Sequence, residues 1–351
     1  MALIDLPQAK WNSGTGRQVI LKGDFDKIEQ AVVESFELTR SPGLEYLSAS
    51  RVQVNATPDC KARVMLTGFP SPLHRGVLVD GGLSDGRYRE NAAPAILDLA
   101  LTGSLWGARK ASQWYAVLAV AGAGDTTFTL KGMPLVRVST QASQTITLRN
   151  NANTANIGYG FAANELVDSK ILMLTGASRG AIRAVTGNNS DNGASGTLTY
   201  GGSALSLAQG DWFVVLPNTN FRFLGMILQD GSSNLVPFDQ EGSASFYRSP
   251  LDLAQGAING FTAFDLGLAA PPTARRLWGS AAATTGADVR LAISYDGSSP
   301  ALLIHATPPA SAFQGVRGAA AFGCLVPCSH KLYLDNGNIA GQVVRVTGWE
   351  E

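Results

Sequence analysis

"SKILMLTGASRGAIRAVTG", residues 169–187, decides the fold class. Gly176-Ala177-Ser178-Arg179-Gly180 matches the G-x-S-x-G pattern of a nucleophile elbow, in which a strand turns sharply at Ser into a helix. The apolar run 170–175 supplies a strand. After Gly180, only "AIRAVT" precedes Gly187-Asn188-Asn189. That is less than two helical turns, and it carries β-branched residues. The spacing therefore predicts a β-hairpin: strand 170–175, turn 176–180, strand 181–186. Ser178 then sits at a turn tip. His305, in a strand-like run, and His330, after a Cys in a turn, are tied to it by no spacing.

The same alternation recurs outward from this hairpin. "SRVQVNA" (50–56), "ARVMLTGF" (62–69), "SQWYAVLAVAG" (112–122), "PLVRVST" (134–140), "DWFVVLP" (211–217), "DVRLAISYDG" (288–297) and "GQVVRVTGWEE" (341–351) read as strands bounded by Gly, Pro or polar turns. One stretch differs. "DFDKIEQAVVESFELTR" (24–40) puts Phe25, Ile28, Val32 and Phe36 at helical spacing behind Asp24, and Ser41-Pro42-Gly43 stops it. Its narrow apolar stripe suits an oligomer or anchoring interface. The expected fold is mainly β: a short N-terminal helix followed by several small β-sandwich or β-barrel modules. The expected boundaries are an N-terminal anchoring segment 1–49, a first β domain 50–140, an inserted small β-barrel 141–218, a connector 219–267 and a C-terminal β-sandwich 268–351.

Composition narrows the functional classes. The 351 residues balance 27 basic against 27 acidic side chains, so no counterion-release grip on nucleic acid is expected. Charged residues make up 15%, below the usual quarter, which suits a subunit that buries much of its surface in an assembly. The run 114–124 is too short to span a bilayer, so no membrane insertion is expected. No signal peptide is read at the N-terminus. Three cysteines, Cys60, Cys324 and Cys328, with three histidines make a zinc site improbable, and buried free thiols are expected. "AGAGDTTF" (121–128) leads into a strand, and "SGTGRQ" (13–18) lacks a Lys-Ser/Thr ending, so neither cradles phosphate. No cofactor, metal or catalytic set is expected. The loop "LVDGGLSDGRYREN" (78–91) gathers Asp80, Asp85, Arg87, Tyr88, Arg89 and Glu90. It reads as a subunit-interface or glycan-binding loop. Its carboxylates are also the candidates for acid–base work on a polysaccharide. Tyr88, Trp106, Trp114 and Tyr115 are candidates for stacking on sugars, with core packing the alternative for the tryptophans.

Segment 169–238, and within it "FRFLGMILQDGSSNLVPFDQ" (221–240), resembles tailed-bacteriophage fibre and appendage proteins. "KLYLDNGNIAGQVVRVTGWEE" (331–351) is similar to the C-terminus of phage β-sandwich fibre domains, and "LIDLPQAKWNSGTGRQV" (3–19) resembles a virion-anchoring lead. The resemblance implies a virion structural protein assembled in the host cytoplasm: a tail fibre or a tail, baseplate or collar appendage. It further implies a homotrimer that contacts other virion proteins, anchored by its N-terminus, with its C-terminal domain toward a host-surface glycan. It carries no residue roles. A tailspike-like depolymerase, a head decoration protein and a secreted lectin are the alternatives.

Overall fold

The computed structural model describes residues 43–54, 62–70, 78–79, 88–191, 195–283, 288–306 and 319–351. These residues form an all-β molecule with no helix among them. The segment 24–40, with Phe25, Ile28, Val32 and Phe36, lies outside the described residues, as does Cys60.

The chain opens with short strands: β1 (Leu44–Ser48), β2 (Arg51–Val54), β3 (Ala62–Met65), β4 (Phe69–Pro70), β5 (Leu78–Val79), β6 (Tyr88–Asn91) and β7 (Ile96–Asp98). They pair as β1–β2–β7, β3–β6 and β4–β5. Two long strands follow, β8 (Gln113–Ala121) and β9 (Thr129–Ala142), paired over residues 115–120 and 129–134. The second half of β9 leaves this pairing and enters a barrel. There it joins β10 (Thr145–Arg149), β11 (Lys170–Met173), β12 (Ile182–Asn188), β13 (Thr197–Tyr200) and β14 (Trp212–Leu216). The order β10–β13–β12–β11–β14–β9 closes because β9 also pairs with β10, which makes a ring of six strands. The hairpin expected over 170–186 is β11–β12. Its turn needs glycine at 176: the backbone is left-handed there (φ 78°), and a Cβ would lie 2.2 Å from the Asp211 carboxylate.

β15 (Asn220–Gln229) then returns to pair with β8 along its whole length. The β9–β8–β15 slab is buried on both faces. Along β8, Trp114, Ala116, Leu118 and Val120 belong to one apolar cluster, and Tyr115, Val117, Ala119 and Ala121 to another. Such a strand reads as an unbroken apolar run because neither face meets water. β15 changes phase midway. Phe221 and Phe223 share the cluster of Trp114, but so do Met226 and Leu228, while Leu224 and Ile227 face the other way. A β-bulge between Phe223 and Gly225 supplies the one-residue shift that flips the alternation. A Cβ at Gly225 would stand 3.0 Å from Leu44 on β1.

Beyond β15 come β16 (Phe238–Glu241), β17 (Ala244–Gln255), β18 (Thr262–Asp265), β19 (Arg276–Ala283), β20 (Val289–Ser294), β21 (Leu302–Ala306), β22 (Ala319–Leu325), β23 (Lys331–Asp335) and β24 (Gln342–Glu350). They form a five-stranded sheet, β16–β17–β24–β19–β22, and a four-stranded sheet, β18–β23–β20–β21. Side chains from both sheets, among them Leu277, Ala281, Leu291, Ile293, Leu334 and Val344, join the cluster that also fills the barrel. The segment 219–267, expected as a connector, is instead mostly strand: β15 belongs to the slab, and β16 to β18 belong to the C-terminal sheets. Its Gly, Ser and Pro residues resemble a linker, but they serve tight turns between short strands.

Gly225→Val is expected to cost about 1–3 kcal/mol, because the added side chain must displace Leu44 or straighten the bulge. Urea denaturation of the full chain measures this loss.

Candidate functional site

A buried polar cluster lies in the seam between the barrel and the C-terminal sheets. Register places it. Phe213 pairs with Val136 and with Met173, so these three share one face of the barrel wall. Trp212 pairs with Arg137 on the other face, which is turned toward β18 and the turn before β23. The lone arginine of "PLVRVST" therefore points away from the barrel interior but remains buried, only 3% exposed.

Arg137 is held on every side. Its Nε donates to the Gly210 carbonyl at 3.1 Å and its Nη1 to the Asn151 carbonyl at 2.9 Å. Its Nη2 donates to Asp265 Oδ2 at the end of β18. The guanidinium carbon stands 4.6 Å from the Trp212 ring centroid, in cation–π geometry. Asp265 Oδ1 accepts from the Gly267 amide at 2.8 Å. Gly267 in turn accepts from Trp114 Nε1 at 3.0 Å, and Ala269 accepts from the Tyr247 hydroxyl at 3.1 Å. Trp349 closes the arrangement, with its ring 5.3 Å from Trp114 and 5.0 Å from Tyr247. The segment 265–270 is thus a peg fixed to the barrel and slab on one side and to the C-terminal strands on the other. Burial pushes the Tyr247 hydroxyl well above the usual tyrosine range and raises the Asp211 carboxyl beside this seam.

His330 completes the seam. It is buried, and it lies edge-on to Trp212 with ring centroids 5.7 Å apart. Burial lowers it to about 4; Asp265 opposes that shift and Arg137 reinforces it. Above that pH it is neutral.

Around the corner, a cleft of about 140 Å³ separates the β11–β12 turn from the C-terminal sheets. Arg179, Arg275 and Cys328 line it, and Arg179 Nη1 donates to Cys328 Sγ. Both Cys324 and Cys328 are free. Cys324 is buried as expected, and burial pushes its thiol up to about 12. Cys328 is exposed, against expectation, because it lies in the turn beyond β22.

The other residues singled out in the sequence are scattered. Ser178 Oγ donates to the Ser206 carbonyl at 3.1 Å and accepts the Ser206 amide at 2.8 Å, so its hydroxyl is a turn fastener. His305 is exposed and lies 3.6 Å from Asp288. Asp80, Asp85 and Arg87 lie outside the described residues. Tyr88 opens β6 opposite Met65, and Glu90 pairs with Arg63. Arg89 is buried and donates to the Gly122 carbonyl, an internal tie and not a side chain open to a glycan. Trp114 and Tyr115 are fully buried in the slab, which removes them as sugar platforms. Arg137, Trp212, Asp265 and Asn151 escaped the sequence reading. The one available signal was a charge inside an otherwise apolar strand.

Among the described residues, no cluster of three metal-ligating side chains occurs, and no helix is long and apolar enough to cross a membrane. Comparison with protein-family models, curated proteins and solved structures returns no match. The seam's chemistry is that of a joint: a permanent cation, its carboxylate and an uncharged imidazole locked between two packed units.

Asp265→Ala is expected to cost about 3 kcal/mol, because Arg137 is left buried without its carboxylate. The loss in the double variant with Arg137→Met is expected to fall short of the sum of the single losses, as urea denaturation of all three proteins would measure. Ser178→Ala is expected to lose about 1 kcal/mol of stability and to leave unchanged any ester hydrolysis that the purified chain shows.

Proposed function

We propose that this chain is a structural subunit of a bacteriophage virion, a tail fibre or a tail, baseplate or collar appendage, that works as a homotrimer. The N-terminal segment 1–49 anchors it to other virion proteins. The C-terminal sheets, read as a β-sandwich, face the host surface and its glycans. Assembly takes place in the host cytoplasm.

The observation that carries this reading is the outer edge of the C-terminal unit. β22 ends the five-stranded sheet, and among the described residues no strand pairs with its free side. Its sequence, Ala319-Ala320-Ala321-Phe322-Gly323-Cys324-Leu325, contains no charge and no proline. Monomeric proteins protect such edges with lysine, proline or a bulge. β21, the edge of the facing sheet, lies against β22 and exposes Leu303 at 72%, and Leu325 on β22 is 56% exposed. Among the described residues this edge carries no such device, and with its apolar flanks it suits pairing with a neighbouring subunit. The low overall charge supports the same reading. The buried, ion-paired seam fits a part that carries load between an anchor and a distal face.

Sedimentation velocity of the full chain is expected to give a trimer with an elongated frictional ratio. A compact monomer at all accessible concentrations would overturn the self-assembling subunit. Ala321→Lys, exposed at the middle of β22, is expected to shift the trimer to monomers without loss of β-structure by circular dichroism. Removal of residues 1–42 is expected to abolish incorporation into virions and to leave the remaining chain folded.

A further inference from the structure

His330 is buried in the seam with neither ring nitrogen satisfied. It is 2% exposed and sits in a turn with a left-handed backbone (φ 55°). Its own amide donates to the Pro327 carbonyl at 2.9 Å, and its carbonyl accepts from the Leu266 amide at 3.1 Å, so its main chain is fastened to the peg. Its ring is not. The carbonyl sides of Ala270 and Pro271 lie near enough to favour a charged imidazole, but neither ring nitrogen makes a hydrogen bond of proper geometry. Nδ1 stands 3.9 Å from Asp265 Oδ1, outside hydrogen-bond reach. The charged groups that face the ring are Asp265 from β18 and Arg137 from β9; β14 contributes only the Trp212 indole. Lys331, next in the chain, is exposed, and Asp211 lies further along the seam beside Arg137.

A proton on this ring is opposed by burial and by Arg137, and drawn by Asp265 and by the Ala270 and Pro271 backbone. Asp265 is already engaged by Arg137 Nη2 and by the Gly267 amide. An imidazolium must draw on Oδ1, which already accepts the Gly267 amide, and stands as a second buried cation beside Arg137. Both effects strain the contacts that hold the peg. We propose that His330 is an acid-operated catch: its protonation favours opening of the peg 265–270 and so loosens the barrel from the C-terminal sheets. The proposal is independent of the assembly in which the chain serves.

The direction and window follow from linkage. In an opened seam, the ring meets water and titrates at its ordinary value of about 6.5. In the closed seam, it titrates at about 4. The open state therefore binds the proton more tightly. Closure is at full strength above pH 6.5, weakens as pH falls, and is constant again below about 4. Over that window, the opening equilibrium is expected to rise on the order of 300-fold, the factor set by the separation of the two values.

Two measurements on the full chain test this. Nuclear magnetic resonance of the three histidine rings, His74, His305 and His330, is followed from pH 8 to 3.5. The signal missing in His330→Gln belongs to His330. It is expected to titrate near 4 while the chain stays folded. Hydrogen exchange of the Leu266 amide, corrected for the intrinsic pH dependence, is expected to show opening that grows on acidification in the wild type and stays flat in His330→Gln. A His330 signal that titrates at 6 or above in the folded chain overturns the proposal. So does a Leu266 pH profile shared by both proteins. Should His330→Gln fail to fold, His330→Asn serves for assignment, and the wild-type titration with its coincident rise in Leu266 exchange decides the matter alone.

Discussion

Everything in this molecule leans on a sheet that has no wet face. The β9–β8–β15 slab places alternate side chains of β8 into two separate apolar clusters, so the N-terminal strands and the rest of the chain are organised from opposite sides of one element. Burial of both faces makes its register strict. A slip of one residue along β8 would move Trp114 and Tyr115 to each other's cluster, and their polar atoms would lose Gly267 and the Lys110 amide respectively. The bulge before Gly225 is the device that lets a strand of ten residues satisfy both clusters despite a change of phase.

The slab also gives rise to the barrel. β9 is long enough to belong to two structures, first paired with β8 and then bent into the six-stranded ring. The barrel is therefore an outgrowth of the slab, and its orientation is fixed by continuity of one strand. The second restraint is the peg 265–270, held through Arg137 and Asp265. A buried ion pair of this kind adds little net stability over a well-packed apolar contact. What it adds is specificity. The guanidinium satisfies two carbonyls and a carboxylate in one fixed geometry, and any other docking of the barrel would strand those groups.

The seam and the edge of the C-terminal sheets call for different physical descriptions. The seam is aromatic and largely buried, built from Trp114, Trp212, Tyr247 and Trp349 around one ion pair. At the β22 edge, no strand among the described residues pairs with the free side, and the segment carries no charge.

By itself, the sequence determined the class of structure and the position of most strands. Alternation with period two and glycine-marked turns are local properties, and the hairpin over 170–186 follows from them without knowledge of the rest. The six-residue limit after Gly180 excluded the elbow for the same reason: helix length is written in consecutive residues. Only the tertiary structure decided which strands pair. The pairings of β9 with β14 and of β10 with β13 that close the ring, the two-faced burial of β8 and the inclusion of 219–267 in three sheets all depend on partners far along the chain. The meeting of Arg137 with Asp265 spans 128 positions. No local period encodes such a pair, because its energy exists only after both strands are placed and water has been removed from between them.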